Sequence, residues 1–107
     1  MNEVSTRLEN KQQLFELLYA NLDAIKNYGI SLFGVFDSFV RNEMNEDSDV
    51  DFLVEFYPEK KTFKNFIRLT FFLEDLCGRE AEVVTVAGLS KYIGPKILAS
   101  AEYIFRN

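Results

Sequence analysis

Nearly every side chain from Ile30 to Phe36 is apolar, and this run limits the folds that are open to the chain. A strand with one face in water alternates apolar and polar residues, whereas a strand buried on both faces is apolar throughout. We therefore predict a central strand over 30–36. Strands separated by helical patterns, with few hairpin signals, indicate an α/β or α+β fold: a small mixed β-sheet with helices packed mainly on one side.

Two helices and their ends can be predicted from apolar spacing and capping residues. Leucines at helical intervals predict an amphipathic helix over 10–27, followed by Gly29 in a left-handed turn. Thr62 is a candidate N-cap for a helix over 63–76, which Gly78 ends. The other predicted elements are strands over 49–56, 79–86 and 102–105, a turn capped by Ser90, and a helix starting at Gly94-Pro95.

The predicted helix 63–76 is apolar around most of its circumference, whereas a surface helix needs an apolar stripe of only ~100°. Two interpretations remain open. The helix is either deeply buried between the sheet and the first helix, or it presents a second apolar face to another subunit as a homo-oligomer contact. The eleven phenylalanines of the chain are compatible with either one.

Composition narrows the function classes. The 107 residues are expected to form a single domain over 1–107, and a net charge of −5 argues against a broad nucleic-acid surface. The chain has no histidine, which excludes His-based catalysis and His-ligated zinc, and its single cysteine, Cys77, is predicted to be a buried thiol. No apolar leader or membrane-length run is seen, so we expect a cytoplasmic protein.

Asp49 and Asp51 open the strand predicted at 49–56, and their i, i+2 spacing places both carboxylates on one face. Asp47 would join them if the extended conformation began that early. Two carboxylates a few ångströms apart repel by about 3 kcal/mol at an effective dielectric near 20, so a cation is expected between them. Magnesium held by carboxylates, water and substrate phosphate is the usual solution. A solvated turn is the alternative interpretation of the pair.

Ser38 follows the first strand at a turn that we predict to start a short helix over 38–43. Free backbone N–H groups at a helix start favour anions, so this turn could hold phosphate. Ser38 could equally be an N-cap of that helix. Arg41 lies one turn later and could bind a triphosphate or pair with the acidic residues.

This order of elements, with Ser38, ten residues, and then Asp49-x-Asp51, resembles the nucleotidyltransferase superfamily that includes DNA polymerase beta. It is most similar to the minimal, single-domain branch, called MNT, and the resemblance covers nearly the whole chain. In the family, a third acid comes from a later strand with a pattern like Val-Asp-Leu-Val-Thr. The matching segment here is 81–85, which makes Glu82 the candidate for that acid.

The resemblance implies transfer of a nucleoside monophosphate, such as AMP from Mg-ATP, to a hydroxyl. It implies that Asp49, Asp51 and Glu82 hold two Mg²⁺ ions, with ATP or another NTP as substrate. Ser38, with Asp37 and Arg41 beside it, would be at the phosphates. MNT proteins are paired with helical HEPN proteins in toxin–antitoxin modules, so a tyrosine on a HEPN-type partner is the implied acceptor.

Two departures from the family pattern favour a different function class. Asp37 stands where the family has glycine, and Asn42 replaces another common glycine. Asp and Asn tolerate left-handed backbone best among the non-glycine residues, so the turn could persist. A carboxylate at 37 should nevertheless repel phosphate. The alternative is therefore a weakened or inactive module that neutralises its partner by binding alone. Adenylylation of a small molecule is less favoured, because no substrate-binding domain follows.

Overall fold

The structure, a computed structural model, describes residues 8–106. Its helices are α1 (Lys11–Ala20), α2 (Leu22–Lys26), α3 (Phe63–Cys77) and α4 (Gly94–Ser100). Its strands are β1 (Ile30–Phe36), β2 (Val50–Phe56), β3 (Ala81–Thr85) and β4 (Glu102–Arg106). Short 3-10 turns span Asp37–Phe39, Pro58–Lys60 and Val86–Gly88.

The four strands form one mixed sheet in the order β3-β2-β1-β4. β1 pairs antiparallel with both β2 and β4, whereas β2 and β3 are parallel and are joined by a crossover through α3. β1 and β2 are therefore interior strands, and β3 and β4 lie at the two edges. The predicted mixed sheet is confirmed.

β1 occupies the interior position that its apolar run predicted. Six of its seven residues are buried, the exception being the half-buried Ser31. Phe33 and Val35 face α1, α2 and α3, while Leu32 and Phe36 belong to a second cluster on the opposite face. Apolar groups cover both faces, so a strand without alternating polar residues is stable here.

The first predicted helix is interrupted. α1 ends after Ala20, and α2 begins at Leu22, with Asn21 between them donating its side-chain amide to the Leu17 carbonyl at 2.9 Å. Asn competes for backbone hydrogen bonds, which favours a break at this position. Gly29 follows with φ +78, the left-handed conformation that was predicted.

α3 packs one face on the sheet and leaves the other face open. Leu69, Leu73 and Cys77 are buried along one side, but Phe63 and Phe71 are 79% and 65% exposed. Full burial of this helix is therefore wrong, and association through its outer face stays a prediction. Its ends are as predicted: Thr62 accepts a hydrogen bond from Asn65 N at 3.1 Å, and Gly78 is left-handed.

α4 lies on the opposite face of the sheet from the other three helices. Its Ile97 packs against the smaller cluster that contains Leu53 and Ala101. Three helices thus share one face and a single short helix covers part of the other, as the predicted fold class requires. Among residues 8–106, no helix combines the length and apolarity needed to cross a bilayer.

Candidate active site

The predicted site residues lie where β1 ends and β2 and β3 begin. Phe36, the last residue of β1, pairs with Asp51, the second residue of β2. Asp51 in turn pairs with Glu82, the second residue of β3. β1 is antiparallel to β2, and β2 is parallel to β3. The turn after β1, which carries Ser38, therefore lies at the same end of the sheet as the two acids.

Asp51 and Glu82 are cross-strand neighbours whose side chains are hydrogen-bonded. In β2, Phe52 and Val54 point towards α1 and α3, so Asp51 points to the opposite face. The Asp51 residue is only 9% exposed. Burial, followed by repulsion from Asp37 and from Glu82, raises the pKa of Asp51 to about 7. This carboxyl therefore carries a proton in part of the population at neutral pH.

Asp49 lies outside the strand, one residue before β2 begins, and is exposed. It is close enough to Asp51 to contribute to the higher pKa of that carboxyl. Asp47 does not share this arrangement, because it lies in a turn in which its backbone N–H donates to Asn45 Oδ1 at 2.8 Å. The extended conformation starts too late to bring Asp47 onto the face of Asp51.

Ser38 lies in the 3-10 turn Asp37–Phe39, which is shorter than the predicted helix. Phe36 occupies the N-cap position, and no side chain caps the turn, so Ser38 is not an N-cap. The Ser38 carbonyl accepts a hydrogen bond from Glu43 N at 2.8 Å. Within residues 8–106, the half-buried Ser38 hydroxyl has no protein partner and is available to a ligand.

The two positions at which the family has glycine both keep a left-handed backbone. Asp37 has φ +68 and Asn42 has φ +58, and no other non-glycine residue among those described has a positive φ. Asp and Asn adopt this conformation at the least cost after glycine. The glycine-type turn is thus retained, and what changes at position 37 is charge.

Arg41 pairs with acids on both sides. Its guanidinium lies 2.8 Å from Asp37 and 2.8 Å from Glu43. The hydrogen bonds that Arg41 donates to Glu43 and to Asp37 raise the pKa of this already cationic group further. All three side chains are more than half exposed, so the pairs add little stability. Arg41 thereby offsets part of the Asp37 charge beside the serine turn.

The donor set fits a hard divalent cation. Asp49, Asp51 and Glu82 offer carboxylate oxygens, the ligands that magnesium prefers. The described residues place no lysine or arginine in an ion pair with Asp51. Over the same residues, no group of three acidic, cysteine or histidine side chains is already drawn together in metal-binding geometry. Side-chain rotation would have to complete the site.

One residue behind these acids had no role in the sequence analysis. Arg79 is buried and donates hydrogen bonds to backbone carbonyls of the loop that leads to Asp49. A single arginine between the glycine that ends a helix and the following strand carries no local pattern. Its role depends on long-range contacts, which spacing along the chain does not reveal.

A small mixed sheet with acids on adjacent strands beside a serine turn defines a nucleotidyltransferase-like domain. The chain belongs to the nucleotidyltransferase domain family, whose model matches residues 17–104.

Its relatives include named protein adenylyltransferases. The protein adenylyltransferase MntA of Thermococcus cleftensis is 38% identical over 79 residues, which cover 74% of this chain and 79% of that protein. Among solved structures, one provisionally named minimal nucleotidyltransferase is 31% identical with a TM-score of 0.78, covering 87% of this chain and 94% of that one.

A Shewanella oneidensis complex between an MNT antitoxin and a tri-AMPylated HEPN toxin shares the fold. Its TM-score is 0.56 at 14% identity, and the match covers 92% of this chain and 71% of that one.

Proposed function

We propose that this protein transfers AMP from Mg-ATP to a hydroxyl group and releases pyrophosphate. The observation that carries the proposal is the hydrogen-bonded Asp51–Glu82 pair, which shares one end of the sheet with the turn that holds Ser38. A buried carboxyl with a raised pKa beside other acids is typical of a functional site.

Asp49 and Asp51 would hold two magnesium ions, and Glu82 would complete the set. When bound, magnesium neutralises phosphate charge and polarises the α-phosphate. Ser38 and the backbone N–H groups of its turn bind the β- and γ-phosphates, which is the role of free donors at such a turn. Arg41, which is paired with Asp37 of that turn, adds positive charge to the same region.

In the transfer step, the acceptor oxygen forms a bond to the α-phosphorus. The bond from this phosphorus to the bridging oxygen breaks, and its electron pair leaves with pyrophosphate. The acceptor proton passes to Glu82. This side chain is exposed, so an acceptor can reach it from solvent. Asp51, buried beside it, keeps the Glu82 carboxylate in position through their contact.

We further propose a tyrosine on a HEPN-type partner as the acceptor. The name of the Thermococcus relative supports a protein substrate, and the AMPylated HEPN toxin in the Shewanella complex supports the partner class. Such a partner would bring the acceptor to the site, since the described residues place little structure over the face that carries Glu82 apart from α4 and the segment before it.

The test is incubation of the protein with a HEPN-type partner protein, α-labelled ATP and magnesium. Label on the partner, lost in Asp49→Ala/Asp51→Ala, is the expected result. Glu80→Gln is a matched control, because Glu80 is exposed, precedes β3 and does not act on Asp51. If the partner carries no label but is still neutralised, the proposed transferase activity is wrong.

That last outcome defines the second candidate, a module that acts by binding alone. One observation favours it: Arg41 is engaged by Asp37 and Glu43, so phosphate must compete with two carboxylates for this cation. In this case Asp49→Ala/Asp51→Ala would neutralise the partner as well as wild type does.

A further inference from the structure

Arg79 is a buried arginine at the junction of α3 and β3, 8% exposed. Its Nε and Nη2 both donate to the Leu8 carbonyl, at 3.1 and 2.6 Å. One edge of the guanidinium therefore fixes the segment that leads into α1.

The opposite edge of the same guanidinium holds the loop before β2. Arg79 Nη1 donates to the carbonyls of Asn45 at 2.8 Å and Ser48 at 2.7 Å. Ser48 is bonded to Asp49, so the last carbonyl held by Arg79 belongs to the peptide that carries the Asp49 amide. Next to it, Val50 N donates to Glu80 O at 3.0 Å, which joins this loop to the start of β3.

Arg79 also contacts the turn on the other side of the site. Its guanidinium carbon lies 5.1 Å from the centroid of the Phe39 ring, a cation–π distance. Phe39 is fully buried and directly follows Ser38. One side chain thus links the backbone that presents Ser38 with the backbone that presents Asp49.

We propose that Arg79 is a positioning residue that holds the serine turn and the Asp49 loop at a fixed separation. This inference rests on the proposed function for what the site binds. Arginine suits the role because its planar fork can donate to carbonyls on two edges at once while one face lies against an aromatic ring. Lysine has a single ammonium and can reach only one edge. The loop that carries Asp49 is then held in place against the mutual repulsion of the acids before any cation arrives.

The experiment compares Arg79→Met and Arg79→Lys with Arg68→Met, a matched control on the exposed side of α3. Amide hydrogen exchange is followed by mass spectrometry, and Mn²⁺ affinity is measured from the spectrum of the free ion. In Arg79→Met, exchange over 45–50 is expected to rise about tenfold while β1 keeps its protection. The Mn²⁺ dissociation constant should rise about tenfold or more, the usual effect of losing a group that orients metal ligands.

Arg79→Lys should restore part of the Mn²⁺ affinity, and Arg68→Met should match wild type in both measurements. If Arg79→Met fails to fold, Arg79→Lys decides the question by the same two readouts. Unchanged exchange over 45–50 together with unchanged Mn²⁺ affinity would overturn the proposal. Wild-type protein that binds no Mn²⁺ would count against the proposed function, while the exchange data would still decide for or against positioning by Arg79.

Discussion

Asp51 in β2 and Glu82 in β3 stand directly opposite each other in a parallel strand pair, and a hydrogen bond joins their carboxyl groups. Acids in such positions repel when both are charged, and the buried member gives way by holding a proton. The cluster is therefore under electrostatic tension in the metal-free protein. This repulsion should determine how the stability of the protein depends on pH and on magnesium.

Asp51→Asn should stabilise the metal-free protein at alkaline pH. The pKa of Asp51 in the folded state, about 7, lies above its ordinary value of 3.8, so the folded protein keeps a proton that the unfolded chain has lost. The stability that this proton contributes is complete below pH 3.8 and is lost as pH rises through 7. Asn is neutral throughout, so the variant should exceed wild type by about 1–4 kcal/mol at pH 8.

Urea denaturation followed by circular dichroism at pH 4.5, 6 and 8 measures this difference. It should be small at pH 4.5 and grow at each step. A difference that stays constant with pH would show that Asp51 does not titrate with a raised pKa. Millimolar magnesium at pH 8 should stabilise wild type and leave Asp51→Asn unaffected, because ligand binding to the folded state raises its stability.

Asp37→Gly should bind Mg-ATP more tightly than wild type. Glycine adopts the left-handed backbone of this position without strain, and the substitution removes a negative charge next to the proposed phosphate site. One charge at about 4 Å in water-like surroundings is worth ~1 kcal/mol, or about fivefold in affinity. It also releases Arg41 from one of its two ion pairs.

Isothermal titration calorimetry with a non-hydrolysable ATP analogue gives the affinities. Asn42→Gly is the matched control, since it makes the same backbone change at a positive φ without altering charge. Equal affinity for Asp37→Gly and wild type would refute the effect of charge. A gain in Asn42→Gly of the same size would assign it to the backbone.

Glu82→Gln should lower the rate of AMP transfer by about a hundredfold. The variant has no carboxylate at position 82 to receive the proton of the acceptor hydroxyl, and the proposed set of three acids is incomplete. Glu82→Asp shortens the side chain by one methylene to the residue that the family uses, and should retain most of the activity. The rate of label transfer under single-turnover conditions distinguishes them. Full activity of Glu82→Gln would remove this residue from the proposed mechanism.

Cys77 should resist modification in the folded protein. It is buried on the inner side of α3, and burial raises the pKa of its thiol to about 12. A thiol rather than a thiolate is then present at pH 8, and thiols are poor nucleophiles. Reaction with Ellman's reagent should be complete in 6 M guanidinium and slower by orders of magnitude without denaturant. Rapid native reaction would contradict the packing of α3.

Local sequence signals were sufficient for most of this fold. The apolar run of β1 predicted its interior position, and Thr62 and Gly78 predicted the ends of α3. The break at Asn21 was missed, because leucine spacing continues across it and only the competing side-chain hydrogen bond ends the helix. The apolar circumference of α3 allows two interpretations, full burial or a second apolar face, because an apolar residue does not reveal which face of a helix meets the sheet. The exposure of Phe63 and Phe71 excludes full burial.

The candidate site divides in the same way. The i, i+2 pattern predicts Asp49 and Asp51 together, but only Asp51 lies within β2. Glu82 is predicted only through the resemblance, since strand pairing is not visible in the chain. The ion pairs of Arg41 were left open between two interpretations, and the structure favours the acids. The contacts of Arg79 span more than seventy residues of sequence, beyond any local pattern.

β3 lies at the edge of the sheet and is five residues long, so only β2 holds it by backbone pairing. An edge strand opens to solvent far more often than an interior one. Each such opening moves Glu82 away from Asp51 and Asp49, while β1, β2 and their helices stay folded. Heat or mild denaturant should therefore abolish the proposed AMP transfer before the protein unfolds globally. A macromolecule that pairs with the free edge of β3 would act as an activator.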